Sequence, residues 1–125
     1  DKEQSSYIKP YVDAIDQQVM FAEKSWGSFR VLDVKPASMT ILVTLNPGHG
    51  MNYHSHEHRD EVWTVIAGEG KAILDGREQP VKVGDVIRMP VGCKHTVFAE
   101  TELQIIEVQM GNEISVTDKV KHDKA

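Results

Sequence analysis

Residues 48–68 read GHGMNYHSHEHRDEVWTVIAG, and the reading of this stretch decides the fold. Three of the chain's six histidines, His54, His56 and His58, stand two residues apart here. In an extended strand such residues share a face and lie roughly 6.5–7 Å apart. His54 and His56 can therefore converge on one ion if the strand twists or the ion sits between them. His58 continues that phase. Glu61 has the opposite parity, so the polar EHRD segment must turn before Glu61 can reach the same point. Beyond it, Val62 to Ala67 has the valine, threonine and isoleucine content of a returning strand.

Outward from this stretch the pattern repeats. FRVLDV, MTILVTL, VWTVIAG, KAILDG, VKVGDVIRMP, HTVFAE and LQIIEVQM are short apolar runs of strand length, with Gly, Pro or Asp between many of them. Asp75-Gly76 is a hairpin signal, and NPGHG, VGD and MPVGC are further turns. Many short strands at regular spacing predict an all-β sandwich or small barrel. Residues 1–27 read differently. In YVDAIDQQVMF, Tyr11, Ile15 and Val19 recur every four residues, which predicts a short amphipathic helix after Pro10. The expected organisation is an N-terminal helix-containing extension over 1–27, a barrel over 28–118 and a charged, frayed tail over 119–125.

The bulk properties exclude several classes. A chain of 125 residues suits one domain. Its net charge of -5 argues against a nucleic-acid partner. No apolar run approaches a membrane span, and no signal-peptide pattern is present. The single cysteine, Cys93, allows no intrachain disulfide, in keeping with a cytoplasmic protein. Cys93 is read as a small buried side chain.

If the histidines hold a metal, another ligand must come from a neighbouring strand. His95 is the candidate, placed after the Pro90–Gly92 turn and at the start of HTVF. Imidazoles and a carboxylate suit Zn, Mn, Fe, Co or Ni. A rival set uses His56, His58 and Glu61. His49, in a turn, and His122, in the tail, are read as structural or solvated. Trp63 and Phe98 are read as core, Trp26 as structural, and Tyr53 as pointing away from the metal. Glu107 and Gln109 share a strand face and could line the barrel mouth.

The spacing Gly48, His54, His56, Glu61, Gly68 resembles the first motif of the cupin family at every position. Gly84, Pro90, Gly92 and His95 resemble the second, which usually ends in Asn where Ala99 stands here. The resemblance implies a double-stranded β-helix, the cupin or jelly-roll barrel, with one divalent metal inside. His54, His56, Glu61 and His95 fall on the ligand positions, and Zn is the metal the family points to. Over residues 24–121 the sequence is similar to the type II mannose-6-phosphate isomerase domain, which is often fused to mannose-1-phosphate guanylyltransferase. Trp26-Gly27, Pro47-Gly48, His58-Arg59, Glu61, Trp63 and Ile106–Gln109 carry that likeness. The chain departs from it at His54, where Gln is common, at Val62, where His is usual, and at Thr96, where an Arg commonly follows the last ligand. EISVTD also replaces the usual acidic run after Gln109.

The resemblance implies an aldose–ketose isomerase of a sugar phosphate, working through an enediolate that the metal stabilises. Because Glu61 is a ligand, the base is sought nearby in His58, Glu57 or Lys94. Arg59 and Lys94 are the candidate substrate contacts, Arg59 because its planar fork suits phosphate. The alternatives are a sugar-binding cupin without turnover and an iron-dependent cupin oxygenase. The expected partners are a small-molecule substrate and a second copy of the chain in a homodimer.

Overall fold

The computed structural model describes residues 20–111 and 118–122. The helix expected after Pro10 lies outside these residues. Among the described residues there are eleven strands in two antiparallel sheets and no helix. The strands are β1 (Phe21–Lys24), β2 (Gly27–Lys35), β3 (Ser38–Leu45), β4 (His54–Ser55), β5 (Asp60–Ala67), β6 (Glu69–Leu74), β7 (Arg77–Lys82), β8 (Val86–Met89), β9 (His95–Ala99), β10 (Leu103–Met110) and β11 (Val120–Lys121). One sheet runs β1-β2-β3-β10-β5-β8 and the other β11-β4-β9-β6-β7. The fold is the double-stranded β-helix that the resemblance implies.

Alternation explains the packing. β3 and β10 each bury every second residue. In β3 these are Met39, Ile41, Val43 and Leu45; in β10 they are Leu103, Ile105, Glu107 and Gln109. In the neighbouring β5 they are Glu61, Trp63 and Val65. The register sets Glu107 beside Trp63 and Gln109 beside Glu61. The interior therefore changes along the strands, from aliphatic at Leu103, Ile105 and Val65 to polar at Glu107, Gln109 and Glu61. One end of the barrel is a packed core and the other is built to receive something polar.

The Asp75-Gly76 signal is realised as the β6–β7 hairpin, with both residues at positive φ. Three expectations are corrected. VKVGDVIRMP divides at Gly84, whose φ of 94° turns the chain, so that β7 and β8 belong to different sheets. Phe98 is 41% exposed rather than core, because β9 buries His95, Val97 and Ala99 and so turns its even-numbered residues outward. The segment after Asp118 is not frayed up to His122. There β11 pairs with β4 (Val120 with Ser55, Lys121 with His54), and the His122 N–H donates to the Tyr53 carbonyl. The first sheet also begins with β1, inside the stretch read as an N-terminal extension. Among the described residues, no helix is long and apolar enough to cross a membrane.

Candidate metal centre

His54 and His95 face each other as a register pair between β4 and β9. His56 follows two residues on, where the chain has left β4. All three are buried, their ring centroids are 4.3–5.3 Å apart, and one nitrogen from each lies within 4.8 Å of the others. The choice of nitrogen is fixed by the backbone. Each Nδ1 meets a carbonyl, which can only accept: Asn52 for His54 at 2.6 Å, Asp118 for His56 at 2.5 Å and Cys93 for His95 at 3.0 Å. Each Nδ1 must therefore carry the proton, and each Nε2 is left with a lone pair.

Glu61 enters from the opposite sheet, on β5, and is 1% exposed. Its Oε1 accepts from Trp63 Nε1 at 2.8 Å and its Oε2 from Arg59 Nε at 2.9 Å. Oε2 also lies 2.9 Å from His56 Nε2, and Oε1 lies 3.7 Å from His95 Nε2. The latter separation is too long for a hydrogen bond. His95 Nε2 is thus a buried nitrogen with no hydrogen-bond partner, the one such side-chain atom among the described residues. Leaving an acceptor unsatisfied in the interior costs about 1–3 kcal/mol. A cation between the three Nε2 atoms and the Glu61 carboxylate satisfies it. Ligand atoms on neighbouring corners of an octahedron about 2.1 Å from its centre lie about 3 Å apart, comparable with the His56–Glu61 separation. The residues present fit a divalent metal.

The charge states agree with that use. Burial, then the neighbouring His95, pushes His54 down to about 3. Burial also lowers His95, against the pull of Glu61. Burial opposes ionisation of Glu61 as well, but its close approach to His56 and the charge of Arg59 prevail and hold the carboxyl below its ordinary range. The centre offers His54 and His95 as neutral imidazoles and Glu61 as an anionic carboxylate. Glu107 is the reverse case: burial, then the Glu61 charge, raises it well above the ordinary value.

These shifts set a pH response. Unfolded imidazoles take up a proton near 6.5, whereas His54 in the fold resists until about 3. In that window the unfolded chain binds more protons, so acid favours unfolding, with a slope approaching about 1.4 kcal/mol per pH unit for a fully shifted group. His95 acts in the same sense, and Glu61 joins below about its ordinary 4.5. Glu107 acts in the opposite sense, because the folded chain keeps its proton where the unfolded one has lost it. Chelated protein should therefore melt at lower temperature at pH 5 than at pH 7. Glu107→Gln should steepen that fall. A flat profile in thermal melts of both proteins would contradict these charge states.

The other site expectations divide. The rival set fails to assemble, since His58 is exposed and absent from the His54, His56, His95 cluster. Glu57 and Lys94 are exposed too, and none of these three lines the cavity that opens over the histidines. Arg59 does line it, but is buried, with Nε on Glu61 and Nη2 3.2 Å from His56. Its guanidinium braces the ligand set, and it does not form the surface ion pair with Glu57 or Asp60 that sequence also allows. Glu107 and Gln109 line the cavity, as do Trp26 and Trp63. Tyr53 points away from the metal, with its hydroxyl accepting from the Gly76 N–H at 3.0 Å. Cys93 is buried, and burial and Asp75 push its thiol up to about 11, which makes it inert. Thr96, standing where the similar domain carries Arg, donates its hydroxyl to the Met51 carbonyl at 2.5 Å.

No spacing or motif marks Asp118. Its carbonyl orients His56, while its carboxylate accepts from the Glu57 and His58 N–H groups at 2.7 and 2.9 Å. His122 Nε2 lies 2.8 Å from Oγ of Ser55, the residue between His54 and His56. Removing an outer partner of a metal ligand lowers affinity about ten- to a hundredfold. Asp118→Ala spares the carbonyl, so the lower figure is expected in competition with a chromogenic chelator. Unchanged affinity would mean that the 57–58 turn holds without that carboxylate.

A family model described as the cupin domain matches residues 41–109. Mannose-1-phosphate guanylyltransferase of Escherichia coli (strain K12) is 29% identical over 100 residues, which cover 78% of this chain and 21% of that protein. The chain spans about a fifth of the length of this curated relative. Among solved structures, KdgF from Halomonas sp. superposes with a TM-score of 0.67 at 20% identity, covering 77% of this chain and 90% of that one. Oxalate decarboxylase from Bacillus subtilis superposes with a TM-score of 0.69 at 22% identity, covering 80% and 28%. Likeness at these identities is likeness of fold.

Proposed function

The chain belongs to the cupin family, and from that premise we propose that it is a metal-dependent aldose–ketose isomerase acting on a hexose phosphate of the mannose 6-phosphate type. The observation that carries this reading is the unsatisfied Nε2 of His95, set beside Glu61 and the two histidines, His54 and His56, that line a cavity. The relationship to a mannose-1-phosphate guanylyltransferase supports the sugar class. The cavity, about 370 Å³, is at the lower end of small-molecule sites and suits one hexose-sized molecule.

His54, His56, Glu61 and His95 would hold the ion. A divalent ion there supplies Lewis acidity toward a carbonyl oxygen and the neighbouring hydroxyl, making the proton on the carbon between them easier to remove. Arg59 and Trp63 keep the Glu61 carboxylate in place by donating to its two oxygens. Glu107 is the group in the cavity wall suited to carry the proton. Gln109 Nε2 donates to its Oε1 at 2.7 Å, and burial, then the Glu61 charge, raises its proton affinity. In its ionised form, a carboxylate whose proton affinity burial has raised is a stronger base toward the C2 proton than an ordinary one, and the acid so formed delivers that proton to C1. Net, one proton moves from C2 to C1 and one from the C2 hydroxyl to the C1 oxygen, so the sugar is neither oxidised nor reduced. Trp26 and Trp63 supply apolar walls that limit water at the reacting carbons.

The test is an assay of fructose 6-phosphate formation from mannose 6-phosphate, on protein of known metal content, in deuterated water. Product that requires metal, with deuterium at C1 or C2, supports the reading. A full metal site with neither product nor exchange overturns it.

A further inference from the structure

Two lysines from opposite ends of the chain reach the same cavity. Lys24 closes β1 at the tight turn into β2, in register with Gly27. Lys119 follows Asp118, whose contacts with His56, Glu57 and His58 fix that segment over the metal centre. Both line the cavity, together with Arg59. The charges of Lys24 and Arg59 both bear on Lys119. The Arg59 donors are already directed to Glu61 and His56, whereas neither lysine forms an ion pair among the described residues. The Lys24 ammonium lies over the Phe29 ring, 5.9 Å from its centroid. Glu107 is the one carboxyl among the described lining residues, and Gln109 and Glu61 engage it. Like charges gathered around one cavity raise each other's energy unless an anion joins them.

We infer that Lys24 and Lys119 form the subsite for an anionic group, phosphate or carboxylate, carried by a small polyhydroxylated substrate whose other end reaches the metal centre. The inference rests on the cavity being the substrate site, and it deepens the isomerase reading. It also accounts for Thr96. Charge that the similar domain places after its last histidine is supplied here from β1 and from the segment after Asp118. Ammonium groups act as point charges without a fixed fork, so the subsite accepts either anion chemistry.

The chain's two tryptophans, Trp26 and Trp63, both line this cavity, so intrinsic fluorescence reports its occupancy directly. Metal-loaded protein is titrated with mannose, mannose 6-phosphate and glucuronate. Anionic ligands are expected to bind about tenfold or more tightly than mannose, the value of one charge-assisted contact. Lys24→Gln and Lys119→Gln should each lower that preference several-fold at unchanged metal content, and the Arg variants should restore part of it. Preference for both anions supports the shared chemistry, and preference for one alone identifies it as the source. Equal binding of all three sugars, or a preference that neither Gln variant changes, overturns the inference. Anion preference without conversion of mannose 6-phosphate keeps the subsite and removes the isomerase reading. Conversion with a KM unaffected by both Gln variants does the reverse.

Discussion

His95→Ala should purify without bound metal while keeping its β-sheet signature. His95 is 1% exposed, and its Nδ1 is committed to the Cys93 carbonyl. Its Nε2 has no other partner among the described residues, so the side chain's polar function is spent on whatever sits between the histidines. Outer-shell partners alone are worth about ten- to a hundredfold in affinity, and a direct ligand should exceed the upper figure. His54→Ala, His56→Ala and Glu61→Ala should also deplete metal. His58→Ala should retain it, since His58 is exposed and stands outside the His54, His56, His95 cluster. Elemental analysis beside far-ultraviolet circular dichroism decides the matter. A folded His95→Ala protein with a full complement of metal would overturn the ligand assignment.

The second large effect concerns Gly68, between β5 and β6. Its φ is +82°, and a Cβ there would lie 1.9 Å from the Glu102 carbonyl oxygen. Strain in the left-handed region costs about 1–2 kcal/mol for an ordinary residue. The collision is with backbone, which no rotamer change relieves, and it would push apart the strand entries at Gly68 and Leu103. Gly68→Ala should therefore lose more than about 4 kcal/mol, a fall of roughly 15 °C or more in Tm, or fail to accumulate as folded protein. Gly76 is the control. Its φ is +83°, but nothing lies within 4 Å of its added Cβ, so Gly76→Ala should cost only the conformational 1–2 kcal/mol, about 4–8 °C. Equal melting temperatures for the two variants would show that the close approach at Gly68 is not a constraint.

The strands were legible because each carries its own two-residue period. β10 occupies Leu103–Met110, the residues of LQIIEVQM, and the Asp75-Gly76 turn needs only local φ preferences. Where a run alternated straight through a turn, as at Gly84, period alone could not show that the chain had changed sheets. The outward orientation of Phe98 follows from its parity with His95, three residues before it on β9. The candidate ligands were legible because His54, His56 and Glu61 lie within eight residues and His95 follows a marked turn.

The remainder of the site was not legible, for a physical reason. Asp118 holds His56 across 62 positions, and Lys24 and Lys119 meet only through the cavity. Nothing in the residues around them requires these encounters, because hydrogen bonds and charge act over ångströms in space without regard to separation along the chain. Local alternation and spacing set the barrel and the residue types of the candidate metal centre. Tertiary structure alone decided which nitrogen of each histidine faces inward, that Glu107 rather than Glu57, His58 or Lys94 shares the cavity, and that cations from both ends of the chain surround it. Those outcomes depend on which carbonyls and charges are brought together when two sheets close, and only the closed barrel brings them together.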